Sequence, residues 1–327
     1  MSEARQGGLD ALQWGSWSDW FQLIRLPLVF TLIADNIAAS VMGAGSLYPL
    51  SAWLLVLGAS VSAYWGGMIL NDVVDVERDR TERPQRPLPS GRVSPVIAGH
   101  VGNVLLLLAP VLVLSAVMFH QAKGQWSGAA VGAAVGLAGA VRAYDSRLKP
   151  TWLGPILMGA CRGLHVLMVG LAMHAVSGAT DSKPSSLVVF ATGIAVYVCG
   201  VTVYARREAG QSARSVLALG MIIEALGLLL IALVPQWVEG ARRWYLDPNF
   251  HYPLLIGLIG ITVVHQGVRG YARPVPRFVQ AAVKHALLTL ILLDASVVAL
   301  RCGKWAGAAT VALVLPALLS SFRWRTT

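Results

Sequence analysis

The sequence predicts an all-α fold: a polytopic integral membrane bundle of nine or ten transmembrane helices. Three observations carry this. Of 327 residues, 56% are hydrophobic and only 13% charged, more apolar content than a soluble domain needs. Apolar runs of about 17 to 25 residues, enough to cross a hydrocarbon layer of about 30 Å as helix, recur from end to end with polar breaks between them. These runs lack the alternation of lipid-facing and lumen-facing residues that a barrel requires, whereas a helix satisfies every backbone amide internally.

In order, spans are expected at 20–43, 51–70, 96–119, 126–141, 152–175, 186–204, 215–235, 253–270, 279–300 and 305–321, the last two being separate crossings or one broken segment. Trp14, Trp17 and Trp20 lead into the first span at a spacing of three, as an interfacial aromatic anchor would. Residues 1–19 lack the apolar core of a cleavable signal, so an interfacial segment is expected there, followed by a single transmembrane domain over 20–327. In the fourth span, Gly128, Gly132 and Gly136 share one face, which suggests close helix packing. Cys161, Cys199 and Cys302 lie far apart and suggest neither a zinc site nor a disulfide framework.

Basic residues set the orientation. With the N-terminus inside, 19 of the 26 Lys and Arg fall on one side, among them Arg5, Arg25, Arg142, Arg147, Arg214, Arg269, Arg273, Arg277, Lys284, Arg323 and Arg325. Lys123, Lys183, Arg242, Arg243, Arg301 and Lys304 fall on the other, and Arg162 lies inside a span. The bias places the N-terminus and the loop after the second span in the cytoplasm, as expected for a multi-pass protein of the inner, cytoplasmic membrane. The net charge of +10 is thus largely topological, and no soluble basic module is present to call for nucleic acid.

That loop reads NDVVDVERDRTERPQRPLPSGR over 71–92 and holds ten of the 42 charged residues. Asp72, Asp75 and Asp79, spaced three and four apart, share one face of a helix continuing out of the second span, with Asn71 one turn before Asp75. Carboxylates so close repel one another and are costly near a bilayer without a cation among them. A solvated helix end is the bland alternative. Against it, the acidic face suits Mg²⁺, which takes a few carboxylates, water and the oxygens of a substrate phosphate. Arg78, Arg80, Arg83, Arg86 and Arg92 follow, and guanidinium forks suit phosphate. Pro84, Pro87, Pro89 and Pro95 stiffen the loop and Gly91 permits a turn, so a rigid basic loop beside an acidic helix end forms a plausible diphosphate site.

N-D-x-x-D-x-x-x-D followed by RP-x-RP-x-x-SGR-x-S, residues 71–94, resembles the first aspartate-rich motif of the UbiA superfamily of intramembrane prenyltransferases. The likeness extends to YDSRLK at 144–149 and to GPILMGACRGL in the fifth span, covering roughly 20–300. It implies an enzyme that moves an isoprenyl group, an alkyl or aryl group other than methyl, from its diphosphate to a small or aromatic acceptor of unknown identity. It further implies that Asp72, Asp75 and Asp79, supported by Asn71, hold Mg²⁺ on the diphosphate and act in catalysis. Arg78, Arg86, Arg92, Lys149, Arg206 and Arg207 would neutralise the leaving group, and Asp35, Asn36, Tyr144, Arg162, His165 and Glu208 would line the pocket.

The family's second aspartate-rich motif is missing. Its place is taken by VTVYARREAGQSAR at 201–214, where Glu208 stands among Arg206, Arg207 and Arg214. T-V-Y-A-R-R-E-A and C-R-G-L-H are similar to a divergent branch, the UbiA-like EboC proteins of Ebo gene clusters. Either the arginines replace a second metal as fixed counter-charges, or the pocket serves as a non-catalytic isoprenoid-binding site or a metabolite transporter. Arg162 and His165, three apart in the fifth span, face either the central cavity or an internal partner, Asp35, Glu224 or Asp294.

Overall fold

The computed structural model describes residues 13–25, 29–122, 124–178, 184–208, 210–237 and 244–323. Arg5, Lys123, Lys183, Arg242, Arg243 and Arg325, which enter the charge comparison, lie outside the described residues, as does most of the expected 1–19 segment. Helices α1 (Trp17–Leu23), α2 (Val29–Ala44), α3 (Leu50–Val74), α4 (Val76–Glu82), α5 (Pro95–Phe119) and α6 (Gln125–Ala143) form the first half. Then come α7 (Leu153–Val176), α8 (Ser185–Tyr204), α9 (Arg214–Ala232), α10 (His251–Ala272), α11 (Pro276–Cys302), α12 (Lys304–Val311) and α13 (Val314–Arg323). No strand occurs among the described residues.

Seven helices are long and apolar enough to cross a membrane: α3, α5, α7, α8 with its short extension to Arg207, α9, α10 and α11. The other three expected spans differ for identifiable reasons. The first becomes the shorter α2, the last breaks into α12 and α13, and α6 is built mainly from Gly and Ala, which add little hydropathy. Chain neighbours pack in a ring, α3 on α5, α6 on α7, α7 on α8, α8 on α9 and α10 on α11, and α2 closes it by touching α3, α7 and α11. The core clusters around Met42, Val169, Phe190, Tyr197, Tyr252 and Leu293, while Val104, Leu107, Leu229 and Ile261 point outward, as lipid-facing residues must.

Glycine packing falls elsewhere than at Gly128 and Gly132, where an added Cβ would meet nothing; α6 instead buries Ala130, Ala133, Ala134 and Leu137. Close backbone approaches through glycine occur between α2 and α7, where a Cβ on Gly43 would clash with the Gly170 carbonyl oxygen, and also at Gly159 between α7 and α8 and at Gly200 and Gly227 between α8 and α9. The α2–α7 crossing sets the seam on which the polar groups of those two helices meet.

Candidate functional site

The acidic face forms because the helical hydrogen bonding runs almost unbroken past the end of α3. The Asp75 amide donates to the Asn71 carbonyl (3.0 Å), that of Asp79 to Asp75 (2.9 Å) and that of Arg83 to Asp79 (2.8 Å). Asp72, Asp75 and Asp79 therefore stay in helical register, and Asp72 and Asp79 are buried. The chain then doubles back through 83–94. Left-handed Gly91 (φ 76°) turns it, the Val93 amide donates to the Pro87 carbonyl (3.2 Å), and Leu88 and Val93 pack with Leu23 and Ile24 of the N-terminal segment.

Each carboxylate meets a cation from a different part of the chain. Arg25 Nη2 donates to Asp72 Oδ1 at 2.9 Å, Arg86 Nη1 to Asp79 Oδ2 at 2.8 Å, and Lys149 Nζ to Asp75 Oδ2 at 2.5 Å and Asn71 Oδ1 at 2.7 Å. Arg86 also lies 3.6 Å from Asp72, and exposed Arg78 lies 3.4 Å from Asp75. Arg25 was counted above only for topology. It reaches Asp72 from a left-handed backbone (φ 47°), a conformation that costs a non-glycine residue energy and persists where surrounding contacts impose it.

Lys149 is delivered by a kinked turn, Tyr144–Leu148, which follows α6, leaves helical geometry at Ser146 (φ −82°, ψ −161°) and packs against α3. The same turn buries Asp145, a residue the sequence did not single out, and its Oδ2 has no hydrogen-bond partner. Burial, reinforced by the nearby Asp75 and Asp72 charges and opposed by Lys149 and Arg142, pushes the Asp145 carboxyl up to about 7. Burial and the Asp145 and Asp75 charges push the neighbouring Tyr144 phenol up to about 12.

Two predicted site residues, Arg92 and Arg206, make their hydrogen bonds away from the aspartate trio. Arg92 Nε donates to Asp19 Oδ1 at 2.7 Å and its Nη2 to the Gln85 carbonyl, so it ties α1 to the loop and not to the aspartate trio. Asp19 pays for burial, yet the Arg92 and Ser16 hydrogen bonds outweigh that and hold its carboxyl below its usual value. Arg206 stacks on Trp152, 3.9 Å from the ring centroid, and donates to the Pro150 carbonyl at 2.9 Å. Arg207 accepts a bond from Ser212 on its carbonyl. Burial raises the Glu208 carboxyl while the Arg83 charge opposes it, which puts this loop within electrostatic reach of the end of the acidic segment.

A second ionic cluster sits inside the bundle. Asp35 on α2 is fully buried against Arg162 and His165 of α7, with His165 Nδ1 3.3 Å from Asp35 Oδ2 and Arg162 Nη2 donating to the Thr31 carbonyl at 3.1 Å. Asp294 of α11 adjoins Asp35. Of the two placements open for Arg162 and His165, the structure shows the internal one; a buried cation without a partner would be several kcal/mol less favourable, by about 3–5 kcal/mol when one partner of such a pair is removed. Asn36 is also turned inward, donating to Ser60 Oγ at 2.9 Å.

Hard carboxylate oxygens suit Mg²⁺, and Asp79 Oδ1 and Asp145 Oδ2 are buried without partners, as oxygens awaiting a cation would be. Among the described residues no three His, Cys, Asp or Glu side chains converge as they stand to hold an ion, and lysine and arginine contact the trio. The donor chemistry therefore fits the metal, and occupancy would require exchanging ammonium and guanidinium contacts for it.

A ring of apolar helices with a clamped acidic segment at one end defines a class of helical membrane proteins, and the comparisons place the chain within it. Residues 28–274 match the UbiA prenyltransferase family, to which the chain belongs. It is 36% identical over 94 residues to a digeranylgeranylglyceryl phosphate synthase of Sulfurisphaera tokodaii and 50% identical over 50 residues to that of Methanoculleus marisnigri. These matches span 28% and 15% of this chain, and only 34% and 17% of the two synthases. The fold matches a structure from work on digeranylgeranylglyceryl phosphate synthase in membranes, with a TM-score of 0.59 and 18% identity over 92% of this chain and 98% of the other. It also matches a UbiA homologue from Archaeoglobus fulgidus bound to GPP and Mg²⁺, with a TM-score of 0.57 and 14% identity over 90% and 99% of the two chains.

Proposed function

We propose that this protein transfers an isoprenyl group from an isoprenyl diphosphate to a small or aromatic acceptor, with Mg²⁺ held at Asp72, Asp75 and Asp79 and supported by Asn71. The observation that carries this reading is the clamping of three mostly buried carboxylates by Arg25, Arg86 and Lys149, drawn from three separate segments. A merely solvated helix end would leave its charges to water. The A. fulgidus homologue bound to GPP and Mg²⁺ supports the same ligand chemistry. The acidic loop and the N-terminus are taken to be cytoplasmic, on the charge bias, and 20–327 to form one transmembrane domain.

When bound, Mg²⁺ would offset the charge that builds on the diphosphate as the allylic carbon–oxygen bond ionises. The residues of the chain do the rest. With Asp72, Asp75 and Asp79 holding the metal, Arg25, Arg86 and Lys149 would turn their donors toward the phosphate oxygens. Asn71, which accepts from Lys149, keeps that lysine at the site when it gives up Asp75. The bond breaks with its electron pair passing to the diphosphate oxygen, a lone pair or ring π pair of the acceptor forms the new bond to carbon, and the acceptor's proton leaves to solvent or base. Apolar walls of the bundle keep water from capturing the cation. Arg206 is anchored to Trp152 and Pro150, so the cationic groups on the diphosphate are assigned first to Arg25, Arg86 and Lys149, with Arg78 at the exposed edge.

The test is release of pyrophosphate by purified protein from a panel of isoprenyl diphosphates with candidate acceptors, with and without Mg²⁺, beside Asp72→Asn and Asp75→Asn. Mg²⁺-dependent release that both substitutions abolish supports transfer. Absence of release with every donor, together with unimpaired cellular function of both variants, points instead to a non-catalytic isoprenoid-binding or transport role.

A further inference from the structure

Asp72 and Asp79 are seven residues apart in sequence, yet Arg86 Nη1 lies 3.6 Å from Asp72 Oδ1 and 2.8 Å from Asp79 Oδ2, so one cationic group already reaches both carboxylates. All three aspartates come from one short segment, so any further oxygen donor to a cation there has to come from another element.

The kinked turn after α6 offers one. Asp145 is 4% exposed and its Oδ2 makes no hydrogen bond, although a buried carboxylate oxygen without a partner is a costly arrangement that native structures rarely tolerate without a reason. It does not hold the turn together: Ser146 Oγ bonds the Ala143 carbonyl and Thr151 Oγ1 the Leu148 carbonyl. Lys149, from the same turn, touches Asn71 and Asp75, so the turn is pressed against the acidic helix, and Asp145 lies within electrostatic reach of both Asp75 and Asp72. The arrangement places an unpartnered carboxylate and the lysine that would have to yield on one short segment. We propose that Asp145 is a further ligand of the divalent cation shared by Asp72 and Asp75, joining it from the turn after α6 as Lys149 leaves Asp75 for the diphosphate. This rests on the diphosphate reading above. It also gives this chain a carboxylate donor outside the α3–α4 segment, since the 201–214 loop offers only Glu208.

The competing role for Asp145 is as a counter-charge for Lys149 or Arg142 alone. Metal binding separates the two without turnover. Full-length protein in detergent would be titrated with Mn²⁺, following loss of the free-ion paramagnetic resonance signal, with and without inorganic pyrophosphate. Wild type would be compared with Asp145→Asn, Asp145→Ser and Asp72→Asn. The expected result is that both Asp145 variants bind Mn²⁺ at least about tenfold more weakly than wild type, as Asp72→Asn does, while melting no lower in the absence of metal. Two neutral variants of different size are used so that failure of one to fold leaves the other to decide. Binding by either folded Asp145 variant within about twofold of wild type, while Asp72→Asn loses the ion, would overturn the role of Asp145 and leave the metal reading standing. Absence of Mn²⁺ binding by wild type, with or without pyrophosphate, would overturn both.

Discussion

The acidic segment at 71–79 and the arginine-bearing loop at 201–214, whose Glu208 feels the charge of Arg83 just beyond that segment, use charge in opposite ways. In the first, Asp72, Asp75 and Asp79 are largely buried and are matched by cations arriving from 47, 74 and 7 residues away in sequence, respectively. Those contacts are ionic and exchangeable. In the second, Arg206 lays its guanidinium on the Trp152 ring and bonds a backbone carbonyl, contacts that fix a loop and involve no acid. Ion pairs to the aspartate trio come from Arg25, Arg86 and Lys149, whereas Arg206 is held by a ring and a carbonyl and keeps a buried Nη1 without a hydrogen-bond partner. That difference underlies the proposal that Arg25, Arg86 and Lys149 come ahead of Arg206 as counter-charges for a diphosphate.

The largest expected effect tests the acidic side. Asp75→Asn removes the carboxylate that Lys149 clamps, and transferase turnover should fall by at least about 10²–10³-fold with Mg²⁺ saturating, measured as pyrophosphate release. A smaller loss would make the trio a structural helix end. Next, Lys149→Met should raise KM for the isoprenyl diphosphate by about tenfold or more, because one of three inward cations is lost, while the fold persists. An unchanged KM would move the cationic role elsewhere, back toward Arg206.

A third effect concerns pH. The Asp145 carboxyl is raised in the folded protein to about 7 from 3.8, so between those values the native state holds a proton that the unfolded chain has released. Stability of metal-free protein should therefore decline as pH rises from about 4 to about 7, with the contribution of Asp145 gone above that window. Asp145→Asn should flatten the decline, read as melting temperature against pH. Asp19 works in the opposite direction, since its carboxyl is depressed: its contribution is present above the ordinary aspartate value and fades as pH falls below it. The smallest effect is that of Arg206→Ala. Loss of its stacking on Trp152 should cost about 0.5–2 kcal/mol of stability and leave KM for the diphosphate nearly unchanged. A large KM increase without destabilisation would erase the contrast between the two loops.

Much of this was legible in the residues. Apolar runs gave the helical class, and the three-and-four spacing of Asp72, Asp75 and Asp79 gave the shared face. Partners were harder to read. That Arg25 meets Asp72 and Lys149 meets Asp75 depends on where distant segments return, which no local spacing encodes. Asp145 was overlooked because its weight comes from burial, although it adjoins Tyr144 in a motif already noted. Gly128 and Gly132 were misread for a related reason. In a helix apolar on every side, hydropathy does not tell the lipid face from the packed one, and the packed face proved to be that of Ala130, Ala134 and Leu137. The number of crossings was equally hard to fix, since α2, α6, α12 and α13 are short or low in apolar content.

The most direct test of the metal–diphosphate site is calorimetric titration of the full-length protein with an isoprenyl thiolodiphosphate, a donor analogue resistant to ionisation, with and without Mg²⁺. Binding that requires Mg²⁺ and disappears in Asp75→Asn is the predicted result. Binding of equal strength without Mg²⁺, unaffected by Asp75→Asn, would contradict it.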